Sequence, residues 1–158
     1  MIPSFPFRER VVGVDVEARG LLTSPWQIWL RGLTAAVNAA PEVQSSVTGT
    51  PVGASISTTP LLADTGSAGL FRVSWFLRVT QAATTSSSVA VSLTFTDGVA
   101  VTITGAAVTG NTTTTIQQQT VLVRCDAGTA LSYSTTYSSV GATAMQYALS
   151  VTVERVNG

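Results

Sequence analysis

Eight carboxylates, one thiol and three tyrosines are the side chains of this 158-residue chain with the widest chemical range. The acids are Glu9, Asp15, Glu17, Glu42, Asp64, Asp97, Asp126 and Glu154; the thiol is Cys125. There is no histidine, and all eight basic residues are arginine, so there is no lysine. That tally excludes a Ser-His-Asp triad, a Cys-His dyad, a Schiff-base lysine, a P-loop lysine and any His-ligated metal. Two carboxylates flanking one bond would suit glycoside hydrolysis. Asp64 and Asp126 are the candidates, but nothing in their spacing brings them together. Asp97 precedes Gly98 and has a turn residue's local role. No closely spaced acidic run of the Ca²⁺-loop kind occurs. The sequence therefore predicts no catalytic residue, no metal site, no cofactor and no enzyme.

The other candidates are binding residues. Tyr133 and Tyr137 share one phase of a strand pattern and Tyr147 lies on another strand; they are core aromatics or, in the alternative, a sugar-stacking platform. Thr112 to Gln119 is a polar run, read as an exposed loop leading to a strand, with receptor contact as the alternative. Arg72 and Arg78 fall on the strand face opposite Phe71, Trp75 and Val79. They are solubilising residues or partners for Asp64, Asp126 or Glu154 across subunits. Zero net charge with eight scattered arginines leaves no electrostatic footprint for nucleic acid. No run of 18 apolar residues predicts membrane insertion. Cys125 is alone and forms no intrachain disulfide. Met1 to Arg10 carries Pro and charge where a secretory signal is apolar, so no signal peptide is expected.

Two kinds of element must position these groups. Ser24-Pro25-Trp26-Gln27 is a capping box with Pro at the first helical position. Trp26, Trp29, Leu30, Leu33 and Val37 then fall on one helical face, and Pro41 follows the stop at Asn38-Ala39-Ala40. A helix this short is marginal alone and needs a surface for its tryptophans. Residues 1–40 read as an arm with a Trp-bearing helix, and residues 41–53 (PEVQSSVTGTPVG) as a linker.

From residue 54 to 158 the period changes to two. Phe71, Val73, Trp75, Leu77 and Val79 alternate with other residues, as do Val89, Val91, Leu93 and Phe95. Asp97-Gly98 joins the latter run to Val99, Val101 and Ile103, a hairpin signal. Further strands are expected at Thr115–Cys125, around Leu131–Tyr137, and from Met145 to Val153. Ala54–Leu62 reads as an edge strand that tolerates Pro60. About seven strands predict an all-β fold: a jelly-roll-like antiparallel β-sandwich preceded by an extended arm and one short α-helix.

Composition then points to association. Ser and Thr supply 42 residues, while charged residues are only 10%. Outward strand positions usually carry Lys, Glu or Arg, which block edge-to-edge pairing. Here they carry Ser, Thr and Ala. A free monomer with such faces and no net charge risks precipitation.

The stretch Phe7-Arg8-Glu9-Arg10 with Gly20 through Leu33, including Trp26-Gln27-Ile28-Trp29-Leu30, resembles the N-terminus of small tailed-bacteriophage virion proteins. Gly69 through Trp75 and Gly141 through Tyr147 are similar to the β-domain of such proteins. The resemblance implies a subunit of the neck, head fibre, decoration layer or tail appendage, made in the host cytoplasm and located in the virion. It also implies docking of residues 1–40 on capsid, portal-neck or tail, with Trp26, Trp29, Leu30 and Leu33 as the partner-binding residues. Met145-Gln146-Tyr147-Ala148-Leu149 resembles trimeric jelly rolls of the C1q/TNF type, which implies a homotrimer. The rival expectation is a receptor- or carbohydrate-binding module that contacts a host surface glycan.

Overall fold

The computed structural model describes residues 42–156. Eight strands occur there: β1 (Glu42–Thr48), β2 (Thr59–Leu62), β3 (Gly69–Gln81), β4 (Ser86–Asp97), β5 (Val99–Thr104), β6 (Ile116–Cys125), β7 (Leu131–Val140) and β8 (Gln146–Arg155). They form two four-stranded antiparallel sheets. The front sheet runs β1-β8-β3-β6 and the back sheet β2-β7-β4-β5. The chain is therefore all-β across the described residues, and the two sheets make a β-sandwich.

The period-two pattern explains the core. In β3, Phe71, Val73, Trp75, Leu77 and Val79 are buried, and in β4 Val89, Val91, Leu93 and Phe95 are buried. Tyr147, Leu149, Val151 and Val153 of β8 and Leu131 and Tyr133 of β7 complete the same cluster. One phase of each strand thus lies between the sheets. One buried hydroxyl pair bridges the sandwich. The Tyr147 and Thr135 hydroxyls lie 2.6 Å apart, and the Tyr147 hydroxyl also reaches Ala54 O at 2.8 Å.

The β4–β5 hairpin forms as expected. Asp97 pairs with Val99, and Gly98 takes a φ of 69°, a conformation glycine adopts without steric cost. It is the one connection between successive strands that stays in its sheet; each other consecutive pair changes sheets.

Two boundaries differ from the sequence reading. The stretch 41–53, read as a linker, contains β1. Ser46 pairs with Thr152 and Val47 with Val151, and beyond the strand Gly49 N donates to Leu149 O at 2.8 Å. The alternation is unreadable there because β1 is mostly exposed, and only Val47 packs on the core. Backbone bonding to β8, not side-chain burial, makes this strand. The expected strand Ala54–Leu62 is shorter than predicted: only Thr59–Leu62 is ladder, with Pro60 on the sheet edge. Ile56 instead bonds Thr135 through its N–H and its carbonyl. The arm and the short α-helix expected in residues 1–40 lie outside the described residues.

The burial pattern predicts a sharp contrast between adjacent positions of β4. Leu93 is fully buried and Thr94 faces outward. Leu93→Ala should cost about 2–5 kcal/mol in urea unfolding. Thr94→Ala should cost less than about 1 kcal/mol, the range of one cross-strand pair. Equal losses would mean the assigned phase of β4 is wrong.

Candidate functional site

The partner-binding residues expected from sequence, Trp26, Trp29, Leu30 and Leu33, lie outside the described residues. The carboxylates of Asp64, Asp126 and Glu154 have local structural partners. Asp64 Oδ1 accepts the Gly66 N–H at 2.7 Å, closing a turn. Asp126 Oδ2 accepts the Gly98 N–H at 2.7 Å and so holds the β4–β5 turn. The Asp126 carbonyl accepts from Thr65 Oγ1 at 2.7 Å and Thr129 Oγ1 at 2.8 Å. Gly128 N donates to Gly66 O at 2.9 Å. The loops bearing Asp64 and Asp126 therefore adjoin, but each carboxylate is aimed at a backbone N–H. Among the described residues no three His, Cys, Asp or Glu side chains gather as a metal site.

Arg72 has an acidic partner within the chain. Its Nε donates to Glu154 Oε2 at 2.6 Å, across a β3–β8 pair. The inter-subunit alternative for Arg72 is thus replaced by a cross-strand ion pair. Arg124 and Asp97 are 3.9 Å apart and exposed, a weak contact.

The tyrosines do not form a sugar platform. Tyr133 and Tyr147 are buried, and Tyr137 stacks on Tyr147 at 5.9 Å and donates its hydroxyl to Met145 O at 2.6 Å. Tyr133 and Tyr137 occupy the inward phase of β7, which is the reason. Burial also pushes the Tyr147 hydroxyl above its usual range. The polar run divides by phase. Thr112 contacts Thr114 and Thr115 at 3.1 Å in a turn. In β6, Gln117 and Gln119 are partly covered while Gln118 is exposed.

What the sequence reading missed lies on the outer face of the front sheet. A depression of about 500 Å³ crosses β8, β3 and β6 there. Its outward side chains form two cross-strand rows. Phe76 stands between Gln118 and Ser150, and Ser74 between Thr120 and Thr152. Ser74 and Thr120 hydroxyls share a hydrogen bond at 2.9 Å. Phe76 is 40% exposed, and none of the lining residues is charged. One aromatic face among hydroxyls and an amide suits a neutral, hydroxyl-rich ligand, and the volume lies in the range of small-ligand sites. The available signal was Phe76 itself, an aromatic residue out of phase with the core residues of β3.

The outer face of the back sheet is different: flat in chemistry and uncharged. Thr94 stands between Thr102 and Ser132, Ser92 between Thr104 and Ser134, and Ala90 beside Thr136. Ser92 with Thr104 (2.9 Å) and Thr94 with Thr102 (3.2 Å) form hydroxyl pairs along it.

Cys125 is fully buried at the end of β6. Burial first, then the charges of Asp97 and Asp126, push its thiol up to about 11 from 9.0. The folded form thus binds the proton more tightly than the unfolded chain does. That contribution to stability is complete below about pH 9 and fades as pH rises toward 11. Two pH units correspond to at most about 2.7 kcal/mol. Urea midpoints measured from pH 8 to 11 should fall more steeply for the native chain than for Cys125→Ala. Cys125 should also resist alkylation at pH 8 until denaturant is added. Rapid labelling of the folded chain would contradict its burial.

No protein-family model matches this chain, and no curated protein matches it.

Proposed function

We propose that this chain is a non-enzymatic structural subunit of a tailed-phage virion. In this reading residues 1–40 dock on capsid, neck or tail, and the sandwich is presented as an oligomeric domain. The observation that carries it is the outer face of the back sheet, where the outward residues of β4, β5 and β7 are Ser, Thr and Ala, with Val140 at the end of β7, and none is charged. Such a face lacks the charged residues that keep a free monomer apart from its copies. The front and back orders, β1-β8-β3-β6 and β2-β7-β4-β5, are those that two interlocked Greek keys produce, and they support the jelly-roll form of the sandwich. The likeness of residues 7–33 to phage virion arms supports the location.

Anchoring works by burial. Trp26, Trp29, Leu30 and Leu33 each contribute roughly 1.5–3 kcal/mol when fully removed from water. Many copies on one particle add avidity, so a weak individual anchor suffices. Self-association of the sandwich has support in its uncharged face. The three-fold symmetry expected from the C1q/TNF likeness rests on that likeness alone.

The second reading is a saccharide-binding module, and the Phe76 depression favours it over the tyrosines first considered. The two readings are compatible, since a virion subunit can also bind a host glycan.

Two measurements separate them. Particles made with Trp26→Ala and Trp29→Ala together should lack the chain by mass spectrometry; full incorporation would remove the anchoring role. On a glycan array, a saturable neutral saccharide signal should drop at least tenfold with Phe76→Ala and be unchanged with Tyr133→Phe. No signal at any glycan leaves the structural reading alone.

A further inference from the structure

The sandwich has four edge strands, and the chain treats them unequally. β1 carries Glu42 and a register shift between Val43 and Ser45. β2 has only four residues, includes Pro60, and is shifted between Pro60 and Leu62. Both carry the devices that stop an edge from pairing with another chain. β5 has six residues with the small outward side chains Ala100, Thr102 and Thr104. β6 is the exception. It has ten residues with no Pro and no Gly, and its one charge, Arg124, comes next to last. Nothing in the β3–β6 register is shifted. Its outward side chains include Ile116, 59% exposed, and Leu122, 60% exposed.

Which backbone groups of β6 are free follows from its ladder. Val79 N donates to Thr115 O at 3.0 Å, in register with the Arg78–Ile116 pair. In an antiparallel ladder the bonded pairs alternate. The N–H and C=O groups of Ile116, Gln118, Thr120 and Leu122 therefore point away from β3, to an edge that no other described strand pairs.

We propose that β6 pairs antiparallel with β6 of a second copy of this chain, about a two-fold axis at Gln119. The segment Ile116-Gln117-Gln118-Gln119-Thr120-Val121-Leu122 is nearly palindromic in chemistry. In this register Ile116 lies opposite Leu122 of the other copy, and Leu122 opposite its Ile116. The two most exposed apolar side chains of the strand thus cover each other twice. Gln118 lies opposite Thr120, and Gln119 opposite Gln119. The pairs that face each other with free backbone groups are those of Ile116 with Leu122 and of Gln118 with Thr120, as an antiparallel ladder requires. A slip by one residue would set free groups against groups already bonded to β3. A slip by two would leave Ile116 opposite Arg124 or Leu122 opposite Thr114. The pairing makes one eight-stranded front sheet from two chains, and it brings the two Phe76 depressions side by side, since Gln118 and Thr120 line both.

This inference rests on the self-association part of the reading above and gives it a surface and a symmetry. The test is sedimentation of the full chain over a wide concentration range, with variants of β6. The native chain should reach twice its 16.3 kDa mass. Thr120→Pro removes a free-edge N–H and no β3 bond, so it should abolish the dimer and leave the circular dichroism spectrum unchanged. Leu122→Lys should do the same by burying a charge. Under mild oxidation Gln119→Cys should form an interchain disulfide, because its partner is its own copy. Gln117→Cys should not, because it faces Val121, and the buried Cys125 adds no background. A mass of two or three chains unaffected by both edge variants, with no cross-link at position 119, overturns the β6 pairing and leaves association to another surface. A native chain that stays at 16.3 kDa throughout overturns both the pairing and the self-association reading.

Discussion

The ladder between β3 and β8 is the interaction on which the rest of the sandwich depends. It joins residues some eighty positions apart, Trp75 with Val151 and Val73 with Val153, at the centre of the front sheet. β1 can add only to the far side of β8, and β6 only to the far side of β3. The same ladder sets Arg72 beside Glu154, and Ser74 beside Thr152, so the outer surface of the front sheet inherits its order from it. Because every connection but β4–β5 changes sheets, little of this forms locally. Non-local pairing of this kind implies slow folding, with chain entropy lost before most of the burial is gained.

Legibility in the sequence follows burial. β3, β4 and β8 alternate strictly because one face of each is buried by the other sheet, and their inward residues are those expected. The Asp97-Gly98 turn is legible because a hairpin with positive φ demands glycine. β1 is illegible for the converse reason: a strand with one core contact has no hydrophobic phase, and the Pro and Gly around it look like punctuation. The tyrosines were open at the level of sequence because an aromatic residue suits a core and a binding surface equally. Their phase in β7 and β8 decides for the core. Phe76 is the opposite case. Its phase marks it as outward, but only the cross-strand register reveals that Gln118, Ser150, Ser74 and Thr152 surround it.

Charge is used sparingly and locally. Arg72 bonds Glu154 across two strands, and Arg155 lies 5.4 Å over the Phe71 ring while its guanidinium reaches Ser67 and Ala68 carbonyls. Asp64 and Asp126 satisfy backbone N–H groups in turns. These charges gather toward one end of the sandwich; Arg78, toward the other end of β3, is exposed on the same outer face as Phe76. The lining of the Phe76 depression itself is uncharged, and it offers a ligand hydroxyl and amide hydrogen bonds and apolar contact.

A sandwich whose back sheet has no charged outward residue needs another way to control which surfaces meet. Charge is sparse, so more of that control falls to the strand edges. The blunting of β1 and β2 by Glu42, Pro60 and register shifts shows that edge pairing is suppressed where the chain can suppress it. Against that background the unshifted ten-residue β6 stands apart from the blunted edges, and the proposed pairing uses that difference. Had the aim been a monomer, one lysine at Thr120 or Leu122 would have closed it without touching the core, because both side chains face outward. The small hydroxyl side chains of the back sheet serve the same economy. They lose little rotamer entropy on contact, and they bond one another along the face, so they neither repel a copy nor hold it firmly. In the proposed pairing the backbone of one edge fixes the alignment to steps of two residues, and the Ile116–Leu122 contacts select one of them.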